Sequence, residues 1–322
     1  MKEDLSQLLD AVRSYSGIEH KRDIQRVAQA LQNAWPAPAA NGDDCALIPV
    51  ADGFNLLAME GFMNEFVAAE PWFAGWCGVM VNLSDIAAMG GRPQAIVNAL
   101  WSANDRSAEL LLQGMAAASQ AYQVPIVGGH TNLRSNQQQL AVAVLGHAKK
   151  PLSSFAAREG LTLMVAINLQ GRWHPPGLNW DAATGAEPAN LRKALALLPH
   201  LAERELVIAA KDISQAGLAG TLVMLLESCQ LGAEIDLNAI PKPVECCWQQ
   251  WLCAFPSFGY LLAVEPDHVA AVSRTFTDCG ISAASLGTLT HSQQLWFRQG
   301  DQRACFWDLH QQPLTGMTGH PL

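Results

Sequence analysis

The chain alternates apolar runs with short polar islands, and the period of each run sets out an element. From Leu5 to Trp35 apolar residues recur at helical spacing around a break at Gly17, which predicts one or two helices. A Pro/Ala connector, Pro36 to Ala40, follows. Ala46–Val50 and Phe54–Met59 read as strands joined by the turn Ala51-Asp52-Gly53. Trp72–Met89 reads as a helix stopped by Gly90-Gly91-Arg92-Pro93, since glycine accepts the left-handed cap and proline cannot extend the turn. Strands are expected at Ala95–Leu100, Pro125–Val127 and Gln139–His147, with a helix at Ala108–Tyr122. This mixed α/β pattern runs to Lys149-Lys150-Pro151, so residues 1–150 are expected to form one domain.

Residues 151–322, the expected second domain, restart with a strand at Leu161–Leu169. Gly171–Pro188 is rich in Gly, Pro and Trp and is expected to be an ordered surface loop, because Trp173 and Trp180 have no use on a flexible tether. Helices are expected at Asn190–Pro199, Gly217–Cys229 and Pro266–Cys279, and strands at Phe258–Val264, Ile281–Thr288 and Gln294–Arg298. Beyond Arg298 the pattern fades. No heptads, low-complexity tracts or short repeats occur.

Bulk properties narrow the class. A chain of 322 residues suits two domains, and 50% hydrophobic with 15% charged residues suits a well-buried, enzyme-like protein. The net charge of −9 argues against a nucleic-acid partner, which wants a basic face. No apolar run reaches the roughly 18–20 residues of a membrane span. Met1-Lys2-Glu3-Asp4-Leu5 lacks the layout of a signal peptide, so the expected compartment is the cytoplasm. Most of the eight cysteines sit singly in apolar contexts and read as buried thiols; Cys246, Cys247 and Cys253 have no metal-ligand spacing and read as a buried helical face.

Four islands carry the chemistry: Asn41-Gly42-Asp43-Asp44, Asn82-Leu83-Ser84-Asp85, Gly128-Gly129-His130-Thr131, and Lys211-Asp212-Ile213-Ser214-Gln215. Adjacent carboxylates such as Asp43 and Asp44 repel, and want a cation or full solvation. Asp85 lies inside an apolar helix and must be paired or metal-bound, with Asn82 and Ser84 adding hydrogen-bonding capacity. Gly128-Gly129 after a short strand is either a phosphate-cradling loop or a strand-ending turn. His130 is either a ligand or proton-transfer group, or a loop histidine. Ser214 reads as an N-cap, with Gln215 and Asp212 beside a helix start suited to an anion and its cation, and Lys211 is a candidate catalytic cation. P-loop, dinucleotide, H-E-x-x-H and G-x-S-x-G motifs are all missing.

In this order the islands resemble the AIR synthase-related (PurM-like) superfamily, which includes thiamine-monophosphate kinase, selenophosphate synthetase and the hydrogenase-maturation protein HypE. NGDDCALI resembles its first acidic motif, VNLSDIAAMGGRP that of the thiamine-monophosphate kinases, VGGHT the third motif with the histidine of selenophosphate synthetases, and KDISQAGLAGTLVMLLE its later motif. The resemblance covers roughly residues 40–290. It implies a two-domain α/β (α+β) fold. The first domain would pair with its copy as a dimeric sheet or barrel, and the second would have a ferredoxin-like core. It further implies ATP bound between the domains on several Mg2+ ions, a small-molecule acceptor, and phosphoryl transfer. By position it makes Asp43, Asp44, Glu60, Asp85 and Asp212 metal ligands, and sets Asn82, Ser84, Gly128, Gly129, Thr131, Ser214 and Gln215 against the nucleotide. His130 and Lys211 are the candidate catalytic side chains. The chain departs from the kinases where Glu60 stands for Asp, where MEGFMNEF lacks their histidine, and where Gln215 stands for the second Asp of D-x-S-D. The selenophosphate synthetases' amino-terminal catalytic loop and HypE's cysteine tail are missing, and His20-Lys21-Arg22 reads as a solvated helix face or a phosphate cover.

Overall fold

Leu5, Leu8, Leu9 and Val12 form the buried stripe that makes α1 (Leu5–Arg13) a helix with one apolar face, and Asp4 caps it by accepting from Ser6 N at 3.0 Å. The computed structural model describes residues 4–32 and 42–317; the connector at Pro36–Ala40 and Asn41 lie outside them. After α2 (Ser16–Glu19) and α3 (Asp23–Gln32), the described chain resumes at Gly42. Contacts divide the chain into two units that do not follow its order. A larger unit comprises Met1–Asp43, Leu152–Ala183 and Arg204–Leu322, and a smaller one Asp44–Pro151 and Thr184–Glu203.

The smaller unit holds β1 (Ala46–Val50), β2 (Gly53–Phe62), α4 (Asn64–Ala69), α5 (Pro71–Ala88), β3 (Arg92–Trp101), α6 (Asp105–Tyr122), β4 (Ile126–Asn132), β5 (Gln139–Ala148), α7 (Pro188–Leu195) and α8 (Leu197–Glu203). The helix expected at Asn190–Pro199 is thus two, parted at Ala196. The sheet runs β1-β2-β5-β3-β4, antiparallel except for the parallel pair β3–β4. It is an open sheet with edges at β1 and β4, not a barrel closed within one chain. α5 lies on one face, where Ile86 packs on Leu56 and Gly146. Leu56, Ala58, Ile96, Leu100, Leu140, Val142 and Val144 are among the buried members of the strands. The pleat sends Ile48, Val50, Leu57, Met59, Val97 and Leu145 to the opposite face, where they stand exposed.

The larger unit carries a seven-stranded sheet in the order β15-β14-β10-β13-β6-β12-β9. Its strands are β6 (Thr162–Ile167), β9 (Ala209–Asp212), β10 (Gly232–Asp236), β12 (Gly259–Val264), β13 (Ser282–Thr290), β14 (Gln294–Gln299) and β15 (Gln302–Asp308). α9 (Gly217–Cys229) packs Leu222, Leu225 and Leu226 into one core with Leu163, Val165, Leu261 and Phe297, and α11 (Val269–Thr277) lies against β13. β15 is the strand the fading pattern conceals: α1 covers it, and Arg13 donates to the Phe306 and Cys305 carbonyls at 3.0 and 3.1 Å. Arg22 lies over Trp307 at 5.7 Å, so of the His20-Lys21-Arg22 turn Arg22 is engaged within this unit, while His20 is exposed.

The Trp-rich stretch is no plain loop. β7 (Arg172–His174) and β8 (Asn179–Asp181) form a small sheet with β11 (Phe255–Pro256), preceded by α10 (Trp248–Leu252). Trp173, Trp180 and Trp251 meet edge to face with centroids 5.3–6.2 Å apart. Trp180 and Trp251 give their indole N–H groups to the Asn168 and Pro241 carbonyls. The cluster is structural. None of the eight cysteines is joined in a disulfide; Cys246 and Cys253 are buried beside α10, while Cys247 is exposed. Among the described residues no helix is long and apolar enough to cross a membrane.

Candidate functional site

In the smaller unit the second island sits on a single stripe of α5. Gly78, Asn82, Asp85 and Met89 follow the i, i+4, i+7, i+11 spacing of one helix face. That face lies on the sheet: a Cβ built on Gly78 would come within 3.0 Å of Leu140 and 3.1 Å of Val142. Asn82 is fully buried and Asp85 only 5% exposed, so an amide and a carboxylate occupy an otherwise apolar layer. Asn82 Nδ2 donates to the Gly78 carbonyl at 2.7 Å, and its Oδ1 is buried with no partner. Glu60 alternates with Leu56 and Ala58 along β2 and pairs with Val142, which turns it into the same layer. Ser84, about 100° round the helix from Asp85, is half-buried and off this stripe. Asp44 stands half-buried in the bend before β1.

The third island is not a loop. Gly128, Gly129, His130 and Thr131 are all residues of the edge strand β4, paired in parallel with Val97, Asn98, Ala99 and Leu100. Gly129 is there for close approach, since a Cβ on it would fall 2.3 Å from the Asn98 carbonyl and 2.6 Å from its Oδ1, whereas a Cβ on Gly128 would meet only Val97 at 4.0 Å. Register decides the faces. Gly129 and Thr131 share the helix-covered side with Asn98 and Leu100, whereas His130 shares the open side with Ala99 and meets Trp101 at 5.6 Å. His130 is therefore not brought together with Asn82, Asp85 and Glu60.

In the larger unit Asp43 is bound to serines that sequence reading passed over. Its Oδ2 accepts from Ser153 Oγ at 2.5 Å, and its Oδ1 from Ser154 N at 2.8 Å and from Ser154 Oγ. Burial pushes its carboxyl above the ordinary aspartate value, against the serine hydrogen bonds and the nearby Lys211 ammonium, which pull it down. The only signal in the sequence is the Ser-Ser pair after Pro151-Leu152, a pattern that local turns share. Lys211 and Asp212 are neighbours on β9 and so point to opposite faces. Lys211 pairs with Leu261 on the side of α9, and Asp212 with Tyr260 on the other. All three of Lys211, Asp212 and Tyr260 are buried.

Ser214 is not the N-cap of α9. Ala216 takes that place without a side-chain hydrogen bond, because the chain turns once more through Gly217 at φ +69°. Ser214 N donates to Thr221 Oγ1 at 3.2 Å, while Ser214 Oγ is buried with no partner. Gln215 is exposed, and its carbonyl lies where a Cβ on Gly17 would be at 2.3 Å, so α2 packs directly on this turn. Among the described residues no three His, Cys, Asp or Glu side chains already converge to hold a metal ion.

Comparison with known proteins agrees with this architecture. Residues 42–148 match the AIR synthase related protein, N-terminal domain, and residues 159–297 the AIR synthase related protein, C-terminal domain. Over 319 residues the chain is 45% identical to the uncharacterized protein sll0787 of Synechocystis sp., covering 98% of this chain and 99% of that protein. It is 27% identical over 281 residues to thiamine-monophosphate kinase of Rhodopirellula baltica, covering 82% of each. Among solved structures, T. maritima PurL complexed with ATP superposes with a TM-score of 0.68 at 18% identity, a likeness of fold. It covers 88% of this chain and 47% of PurL, so the chain spans about half of that protein. With both domain types present in order and a two-domain mixed α/β, PurM-like fold, the chain belongs to the AIR synthase related family.

Proposed function

We propose that the protein binds ATP with Mg2+ and transfers its terminal phosphoryl group to, or activates by phosphate, a small molecule. One observation carries this reading: the buried stripe of Asn82 and Asp85, with Glu60 facing it and Asn82 Oδ1 unpartnered, in a layer that packing alone would fill with aliphatic side chains. The kinship to thiamine-monophosphate kinase and the ATP carried by the PurL structure support it.

The donor set suits magnesium. Asp44, Glu60 and Asp85 offer hard carboxylate oxygens, Asn82 a spare amide oxygen, and Asp212 is the larger unit's candidate donor. Magnesium keeps waters and takes phosphate oxygens, using only one or two protein carboxylates, so no ready-made cage of three is required. When bound, the metal would supply charge neutralisation at the phosphates. The chain's own part is to hold the nucleotide in line and to fix the carboxylates in a water-poor layer. Edge strand β4 offers Gly129 and Thr131 for the nucleotide from the same side of the sheet. Ser214 Oγ and the uncapped start of α9 are the larger unit's candidates for phosphate oxygens, with the exposed Gln215 where the kinases carry a second aspartate. Lys211 acts on Asp43 rather than on substrate, and His130, on the open face, has no proton-transfer role in this reading.

We further propose a homodimer formed through the open sheet face. Met59 at 65%, Leu57 at 46% and Ile48 at 45% exposure lie on it with Val97 and Leu145, an apolar surface that a second copy can cover. The free thiols fit the reducing cytoplasm. The test of function is a thermal-shift titration with ATP, with and without Mg2+, followed by ATP turnover against small acceptors that include thiamine monophosphate. Stabilisation only with Mg2+ and acceptor-dependent turnover support the reading; no shift with any nucleotide ends it. A shift without turnover against any acceptor points instead to a nucleotide-binding scaffold, the outcome that Gln215 in place of aspartate would favour.

A further inference from the structure

Glu227 lies on α9, 3% exposed, and the reading above gives its carboxylate no task. Its oxygens take four hydrogen bonds, all from one short segment late in the chain. Leu314 N and Thr315 N donate at 2.8 Å, Thr315 Oγ1 at 2.6 Å and Gly316 N at 3.1 Å. Three successive backbone N–H groups closed on a carboxylate form an anion nest, and so buried an acid needs that degree of partnering. From the other side Gln25 of α3 donates to the Pro313 and Leu314 carbonyls at 3.1 and 3.2 Å. Leu314 between them is fully buried. The segment is therefore a strap fastened at both faces.

The strap ends on the first acidic island. A Cβ built on Gly42 would come 2.9 Å from Met317 Cβ and 3.4 Å from Phe155 Cζ, so the glycine is gripped between strap and turn. At φ +136° only glycine sits there without strain. The next residue, Asp43, is bound by Ser153 and Ser154, the two residues that precede Phe155. Glu227, the strap, Gly42 and Asp43 thus form one continuous chain of contacts, ending one residue before the candidate ligand Asp44.

We propose that Glu227 is a positioning residue for the first acidic island, acting through Pro313–Met317 on Gly42 and Asp43. The inference rests on the reading of the protein as a binder of Mg2+ and ATP. Hydrogen exchange resolved by segment, on the full chain without nucleotide, tests the mechanical half in Glu227→Gln and Met317→Ala. Glu227→Gln sets an amide N–H against backbone donors and should speed exchange both at residues 314–316 and at 42–45 and 153–155, leaving β6 and β12 protected. Met317→Ala keeps Cβ but removes the side chain beyond it, whose Cγ lies 3.6 Å from the Cβ position built on Gly42, and should loosen 42–45 while 314–316 stay protected. The Mg2+ concentration needed for ATP binding, measured well below each variant's unfolding midpoint, should rise several-fold in both. A strap that opens in Glu227→Gln while 42–45 keep their protection overturns the proposal, as does an unchanged Mg2+ requirement with that segment released. If Glu227→Gln does not fold, Thr315→Val and Met317→Ala carry the same comparison. A wild-type protein that binds no nucleotide ends the functional reading, and exchange at 42–45 still decides whether Glu227 positions the island.

Discussion

Asn82 donates to the carbonyl of Gly78, one turn back along α5, and its remaining amide oxygen is buried without a partner. A lone buried acceptor costs about 1–3 kcal/mol, which a protein keeps only for a use. Asn82→Leu should therefore leave the unfolding midpoint of the ligand-free protein unchanged or slightly raised, because an unsatisfied group is replaced by an apolar one of similar size. The same variant should lose the stabilisation that Mg2+ with ATP gives the wild type. A large loss of ligand-free stability in thermal unfolding would make Asn82 a structural residue instead.

Asp85 shares that stripe and is the smaller unit's most enclosed carboxylate among the candidates. Asp85→Asn preserves shape and removes the charge, and a neutral amide is a poor magnesium ligand. Calorimetry should show ATP affinity in Mg2+ falling by at least about tenfold, or 1.4 kcal/mol, while any metal-free nucleotide binding is unaffected. Equal affinity in the two proteins would remove Asp85 from the metal site.

Asp43 predicts a pH dependence of a definite sign. Burial raises its folded pKa above the ordinary 3.8, so the folded state holds its proton more tightly than the unfolded state. Its contribution to stability is then fully present below the ordinary carboxylate range and is lost as pH rises through the raised folded value. Asp43→Asn cannot titrate. The gap in unfolding midpoint between wild type and Asp43→Asn should accordingly be more favourable to the wild type near pH 4 than at pH 7. A gap that moves the opposite way would show that the serine bonds and Lys211 outweigh burial.

Burial holds the thiols of Cys229 and Cys253 up at about 12, so almost none is thiolate at neutral pH. Cys247 is exposed. Alkylation of the native protein followed by peptide mapping should label Cys247 first and reach Cys229 and Cys253 only on unfolding. Early labelling of Cys253 would mean that the α10 region opens in the native state.

The parts legible in the sequence are those decided by local period. The helical spacing through Trp72–Met89 shows both α5 and the acid buried within it, and the alternation in Phe54–Met59 shows β2. What escapes is decided by partners far along the chain. Gly128-Gly129 reads as a loop because glycine is rare in strands, yet here the missing Cβ of Gly129 is what lets an edge strand close on Asn98. Ser214 reads as a cap because the turn through Gly217 is invisible to propensity. Asp43 reads as a metal ligand because nothing local reveals that Ser153 and Ser154, 110 and 111 residues on, will bind it. The strand β15 is concealed by its mixture of charged and aromatic residues, which pays off only against α1.

The open sheet face makes the last prediction. Leu57 and Met59 alternate with the buried Leu56 and Ala58 along β2, so their side chains contribute nothing to the core of their own unit. Leu57→Glu with Met59→Glu should consequently leave the unfolding midpoint of an isolated subunit nearly unchanged. In a dimer built on this face the same pair would bury unpaired like charges against their symmetry copies, because a twofold interface meets itself. Light scattering on the wild type should give twice the chain mass, and on the double variant the mass of one chain. A double variant that keeps the wild-type dimeric mass places the interface elsewhere; a wild type with the mass of one chain leaves the apolar face to a different partner.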